Sequence, residues 1–245
     1  MTRRLRAAWR LSRCVAHGLH GVAIVLLRFR RFDAPQRHAH VRWWSVKMLR
    51  TMGIEIDVEG ALEPGGTLLV ANHISWLDIT ALHAVVPHAR FVSKADVKAW
   101  PLLSQLAHGA GTLYLERERK RDALRVVHLM AGALAAGDTV AVFPEGTTSD
   151  GRALLPFHAN LLQAAIATSA KVQPVALRFS DAVLPVSAAV EFVGATTLLQ
   201  SLWRVACGEG LVARVALLPA RPSAQLDRRA LAQALRADIA AHLDR

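Results

Sequence analysis

The chain is poor in what several function classes would need. It has two cysteines in 245 residues, Cys14 and Cys207, far apart and without metal or redox spacing, which excludes a disulfide framework and sets a reduced, cytoplasmic location as the expectation. No Gly-x-Ser-x-Gly elbow accompanies Ser75 or Ser149, which counts against a serine hydrolase. No histidine or carboxylate cluster has a recognisable metal spacing, so neither a metal nor a bound cofactor is expected. There is no internal repeat and no low-complexity linker, so the chain suits one sizeable folded body. No small-residue cleavage site follows the early apolar stretch before Arg28, which argues against a secretory signal.

Acidic residues are nearly missing from the first fifty positions, where Asp33 stands alone against twelve Arg or Lys. Of thirty basic and nineteen acidic residues in the whole chain, the remaining eighteen of each then balance. The protein therefore has a basic foot on a neutral body. Trp9, Leu19, Val22, Ile24, Leu26, Leu27, Trp43 and Trp44 interleave the basic residues, a mixture suited to an anionic membrane surface and not to nucleic acid. Each cation near such a surface contributes about 1 kcal/mol. The apolar stretch from Cys14 to Leu27 is shorter than the roughly 20 residues that cross a bilayer. We expect residues 1–52 to form a membrane-anchoring helical segment, inserted at the interface or paired with a helix around Val41 to Met52, and residues 53–245 to form the catalytic domain.

Beyond residue 53, strand and helix signals alternate. Ile54, Ile56 and Val58 alternate with acids as a half-exposed strand, and Pro64-Gly65-Gly66 turns the chain into the apolar run Leu68-Leu69-Val70. Further strands are expected at Phe91–Ser93, Thr112–Leu115, Val140–Phe143, Val172–Phe179, Ala188–Val193 and, as an outer strand, Val212–Leu218. Helices are expected at Asp78–Val86, Val97–Ala107, Glu118–Ala136, Phe157–Ser169 and Ala224–Leu243. The fold class is therefore α/β, a single mixed sheet flanked by helices, with the N-terminal membrane-associated segment appended.

The chemistry collects at the ends of two of these strands. The Leu68 strand opens into Asn72-His73-Ile74-Ser75-Trp76-Leu77-Asp78. An imidazole takes a proton near neutral pH, and a carboxylate on its far nitrogen fixes the tautomer and stabilises the imidazolium. Asn72 and Ser75 permit the bend that a direct His73–Asp78 bond requires. The Val140 strand runs into Phe143-Pro144-Glu145-Gly146-Thr147-Thr148, so the two loops suggest one shared cleft.

With these two blocks, Gly111 to Arg117 and the proline-centred Val172 to Leu177, the chain resembles the glycerolipid acyltransferase family, typified by 1-acyl-sn-glycerol-3-phosphate acyltransferases. All four blocks occur in the family's order, from Asn72 to Leu177. The resemblance implies that His73 and Asp78 are catalytic and that Arg117, Glu145, Gly146 and Thr147 bind the acceptor's head group, with backbone bonding by Glu145 the other reading. It implies acyl-CoA or acyl carrier protein as co-substrate, a lysolipid as acceptor, and a place on the cytoplasmic face of the inner membrane. The expected reaction acylates 1-acyl-sn-glycerol-3-phosphate to phosphatidic acid. Thr148 stands where the commonest family form has arginine, the usual bidentate partner of phosphate, so acylation of lyso-ornithine lipid is the alternative. A non-enzymatic membrane-surface binding protein would leave the ordered blocks unexplained.

Overall fold

The computed structural model describes residues 2–94, 101–115 and 120–244. Two helices, α1 (Arg3–Arg28) and α2 (Ala34–Met52), precede a seven-stranded sheet. Its strands are β1 (Ile54–Glu59), β2 (Thr67–Ala71), β3 (Arg90–Lys94), β4 (Leu113–Leu115), β5 (Val140–Val142), β6 (Lys171–Ser180) and β7 (Leu211–Leu217). They lie in the order β1-β7-β6-β2-β5-β3-β4. The β6–β7 pair is antiparallel and every other neighbouring pair is parallel. The sheet is therefore mixed, as alternating strands and helices demand.

Both faces of the central strand are covered, which is why β2 reads as a continuous apolar run. Leu69 and Ala71 point into a core shared with α1, α2, α3 (Leu77–Val85) and α7 (Leu198–Cys207). Leu68 and Val70 point into the opposite core, against α5 (Lys120–Ala135), α6 (Gln163–Thr168) and α8 (Arg228–Leu243). The described part of the expected Val97–Ala107 helix is α4 (Pro101–Gly109).

The two N-terminal helices pack on the sheet through one side. Asp33 caps α2 reciprocally with Gln36, and Gly53 ends it at φ 78°, donating to the Arg50 carbonyl. A side chain at Gly53 would collide with the Arg10 guanidinium, which donates to the carbonyls of Ala206 and Gly208 at the end of α7. Met48, Leu49 and Met52 thereby enter the same core as Ile54 and Leu69. Among the described residues no helix is long and apolar enough to cross a membrane.

Four expectations need correction. Ala188–Val193 is not a strand: the Phe192 amide donates to the Ile74 carbonyl, so its backbone is satisfied by the loop after β2 instead of a ladder. β7 is internal, between β1 and β6, and β1 and β4 are the edges. Its alternation arises because Arg214 emerges beside Asp57 of β1. The expected Phe157–Ser169 helix is a 3₁₀ turn at Ala159–Leu162 followed by the short α6. The last helix starts at Arg228, where Asp227 accepts from the amides of Arg229 and Ala230. α7 was not expected, although Thr197 and Gln200 form a reciprocal capping box at its start.

Candidate active site

β2 and β5 are adjacent and parallel, so the loops at their carboxyl ends meet. Asn72, the first residue past β2, extends the pairing with β6 by its side chain. Its amide nitrogen donates to the Leu177 carbonyl at 2.9 Å, and its oxygen accepts from the Leu177 amide at 2.8 Å. The chain then bends at His73 and wraps around the carboxylate at the start of α3. Asp78 Oδ2 accepts from His73 Nδ1 at 2.7 Å, from the Ile74 amide at 2.6 Å and from the Ser75 amide at 2.9 Å. The Asp78 side chain is wholly buried and His73 keeps 19% of its side-chain surface exposed. A carboxylate acceptor places the proton on Nδ1, leaving the Nε2 lone pair as the basic site. Among the described residues Nε2 has no hydrogen-bond partner.

The second loop holds the first by its backbone. Glu145 Oε1 accepts from the His73 amide at 2.8 Å and Oε2 from the Leu155 amide at 3.0 Å. The Ser149 amide donates to the His73 carbonyl at 2.8 Å, and its hydroxyl donates to the same oxygen at 3.2 Å. The His73 ring lies on Phe143, 4.0 Å between centroids and 11° from parallel. His73 is thus fixed by both backbone groups, by Nδ1 and by one ring face. Burial pushes the Glu145 carboxyl above the usual carboxylate range, and the amides of Leu155 and His73 pull it back. Both its oxygens are engaged by backbone, an arrangement of a loop anchor.

The other expected site residues are distributed around this pair. Gly146 adopts φ 70°, and a Cβ there would stand 3.2 Å from the His158 ring. Thr147 is exposed. The Thr148 hydroxyl donates to the Phe192 carbonyl. Arg117 lies outside the described residues. Ser149 is spent on the His73 carbonyl and Ser75 is fully buried, so neither is positioned as a nucleophile against the imidazole. Sequence reasoning missed the partners of the second loop. Arg152 pairs with Asp150 at 3.2 Å and with Glu191 at 2.8 Å. Glu191 comes from the segment misread as a strand, and nothing in its local pattern signals this pairing.

A buried carboxylate behind a partly exposed imidazole, both set at the carboxyl end of a central strand, can draw a proton from a hydroxyl and return it to a leaving group. Comparison with known proteins agrees. Residues 54–178 match the family model described as Acyltransferase. The chain is 39% identical over 232 residues to a lyso-ornithine lipid O-acyltransferase of Pseudomonas aeruginosa, covering 94% of this chain and 88% of that protein. It is 39% identical over 166 residues to a 1-acyl-sn-glycerol-3-phosphate acyltransferase of Neisseria meningitidis, covering 67% of this chain and 64% of that protein. The crystal structure of the acyltransferase PlsC from Thermotoga maritima superposes with a TM-score of 0.73 at 17% identity, over 99% of this chain and 96% of that one, and so shares the fold. With its two motif loops built at the carboxyl ends of adjacent strands and inside the matched span, the chain belongs to the acyltransferase family.

Proposed function

We propose that this acyltransferase moves a fatty acyl group from acyl-CoA or acyl carrier protein to the free hydroxyl of a lysolipid, with His73 as general base. His73 Nε2 takes the hydroxyl proton as the oxygen attacks the thioester carbonyl. Asp78 holds Nδ1–H and stabilises the imidazolium. The C–S bond breaks, the thiolate accepts the proton from His73, and no acyl-enzyme forms. The observation that carries this reading is the 2.7 Å Nδ1–Asp78 bond at a partly exposed imidazole. Glu145 acts through the His73 backbone as a positioning residue, while Gly146 and Thr147 line the acceptor's side of the loop.

For the acceptor, the reading best supported is a phosphate-free lysolipid of the lyso-ornithine type. Thr148 stands in place of an arginine and its hydroxyl is committed to Phe192. Arg152, the next cation along the loop, is held between Asp150 and Glu191. A head group with both an ammonium and a carboxylate suits such mixed charge better than a phosphate dianion does. The Neisseria relative supports 1-acyl-sn-glycerol-3-phosphate as the second reading, with Arg117 as its cation. Purified enzyme in detergent, given each acceptor with acyl-CoA and with acyl carrier protein, decides: turnover of lyso-ornithine lipid alone supports the first reading, and turnover of lysophosphatidic acid alone overturns it. Thr148→Arg is expected to shift the acceptor ratio toward the phosphate.

The hairpin of α1 and α2 supports attachment to the cytoplasmic face of the cell membrane. Leu5, Trp9, Val15, Leu19 and Leu26 are all more than half exposed on one stripe of α1, and Trp43 of α2 is 40% exposed. Arg3, Arg4, Arg13 and Arg28 of α1 and Arg30 and Arg31 just beyond it are exposed as well. Cosedimentation with anionic vesicles, weakened by salt and lost in Trp9→Glu/Leu19→Glu, tests it. Equal binding to neutral vesicles would overturn the electrostatic part.

A further inference from the structure

A second concavity opens beside the active loop, between the segment Pro156–Asn160 and the first turns of α8. It encloses about 650 Å³ and is lined by Phe157, His158, Asn160, Arg228, Arg229 and Arg236 among others, with no carboxylate among its lining residues. Asp227 is the acid next along the chain, and its Oδ1 is spent on the amides of Arg229 and Ala230. The guanidinium groups of Arg228 and Arg229 form no hydrogen bond or ion pair with the described residues. Arg236 donates to the carbonyls of Leu154 (2.6 Å) and Leu155 (3.1 Å), so it fixes the cavity wall. That wall is continuous with the site, because the Leu155 amide holds Glu145 and the His158 amide donates to the Pro144 carbonyl.

We propose that this cavity binds the phosphate-bearing nucleotide half of a coenzyme A thioester, a role that rests on the acyl-transfer reading above. The nucleotide carries a 3′-phosphate and a 5′-diphosphate on an adenosine. Two unpaired guanidinium groups and an imidazole supply bidentate and charge-assisted donors for those phosphates, and the half-buried Phe157 ring supplies a flat apolar wall for a purine. An acidic carrier protein presents its charges on a convex helix, whereas these arginines line a concavity. The His158 ring packs against Gly146, where a Cβ would stand 3.2 Å from it, so the wall of the cavity abuts the loop that anchors His73 and the pantetheine arm has only that loop to follow.

The test is a titration of adenosine 3′,5′-bisphosphate into the full chain, beside steady-state kinetics of Arg228→Ala/Arg229→Ala. The variant is expected to weaken bisphosphate binding about tenfold or more and to raise KM for acyl-CoA by a similar factor. Its kcat at saturation should be unchanged, as should its turnover of the matching acyl-N-acetylcysteamine thioester, which has no nucleotide. Equal losses with both thioesters would make the arginines structural and overturn the proposal. So would undiminished bisphosphate binding, or a loss confined to acyl carrier protein. Bisphosphate binding is read without turnover, so a failure of the acyl-transfer reading leaves the titration standing, and a failure of the cavity leaves transfer standing.

Discussion

His73 and His83, ten positions apart, flank one pair of stacked rings and have opposite fates. His73 lies flat on Phe143, Phe143 lies 5.8 Å from Phe91, and His83 meets Phe91 edge-on. His73 is partly exposed and its inner nitrogen bonds a carboxylate. His83 is 7% exposed, bonds the Ala89 carbonyl at 3.1 Å, and is driven by burial to a pKa of about 4. The same side chain beside the same kind of ring is the proposed base in one case and a neutral core residue in the other. What divides them is the partner of the second nitrogen and access to the cleft.

The largest expected effect comes from removing the working member of the pair. His73→Ala should lower kcat by about 10²- to 10⁴-fold with vesicle binding intact; a folded variant with full turnover would end the assignment. His83→Gln, which keeps a donor toward Ala89, should leave turnover per folded enzyme unchanged. Its consequence is for stability against pH. The folded pKa lies below the ordinary value of 6.5, so the contribution of neutral His83 is complete above that value and is lost as pH falls toward 4. The loss amounts to about 3 kcal/mol. Thermal melts between those limits should show a steeper decline for the natural chain than for His83→Gln, and superimposable curves would break the comparison.

Asp78→Asn preserves the shape of the inner partner and removes its charge. A fall in kcat of about a hundredfold is expected, with the melting temperature changed far less than activity. Glu145→Gln is expected to have the smallest effect among the active-site substitutions. One of its two terminal atoms becomes a donor facing a backbone amide, which costs about 1–3 kcal/mol, and kcat should fall roughly tenfold through misplacement of His73. A KM effect on the acceptor with unchanged kcat would instead return Glu145 to the head group.

The His73–Asp78 pair was legible because both residues and the bend between them lie within one short segment. The apolar runs of β2 and β5 were legible because both faces are buried, which removes any dependence on partners. Legibility failed where partners decide. Ala188 to Val193 has a strand's composition, but the β6 edge is already taken by β7, so the segment crosses the sheet end and bonds to Ile74 and Thr148 instead. Glu145 could be read as binding ligand or loop from sequence alone, and the two amides that separate these readings come from residues 72 positions earlier and ten later. The cavity beside α8 was invisible for a similar reason, since its walls are some seventy residues apart.

The pair of hydrogen bonds between Asn72 and Leu177 spans 105 positions, and it stands immediately before His73. A growing chain that has not yet delivered Leu177 leaves His73 on a strand whose last amide clamp is unmade, and loop closure over that distance is a late event in folding. The placement of His73 is thereby made to wait until at least Leu177 has been delivered. Under the membrane role proposed for the basic foot, a fragment lacking Leu177 would reach the lipid surface inert.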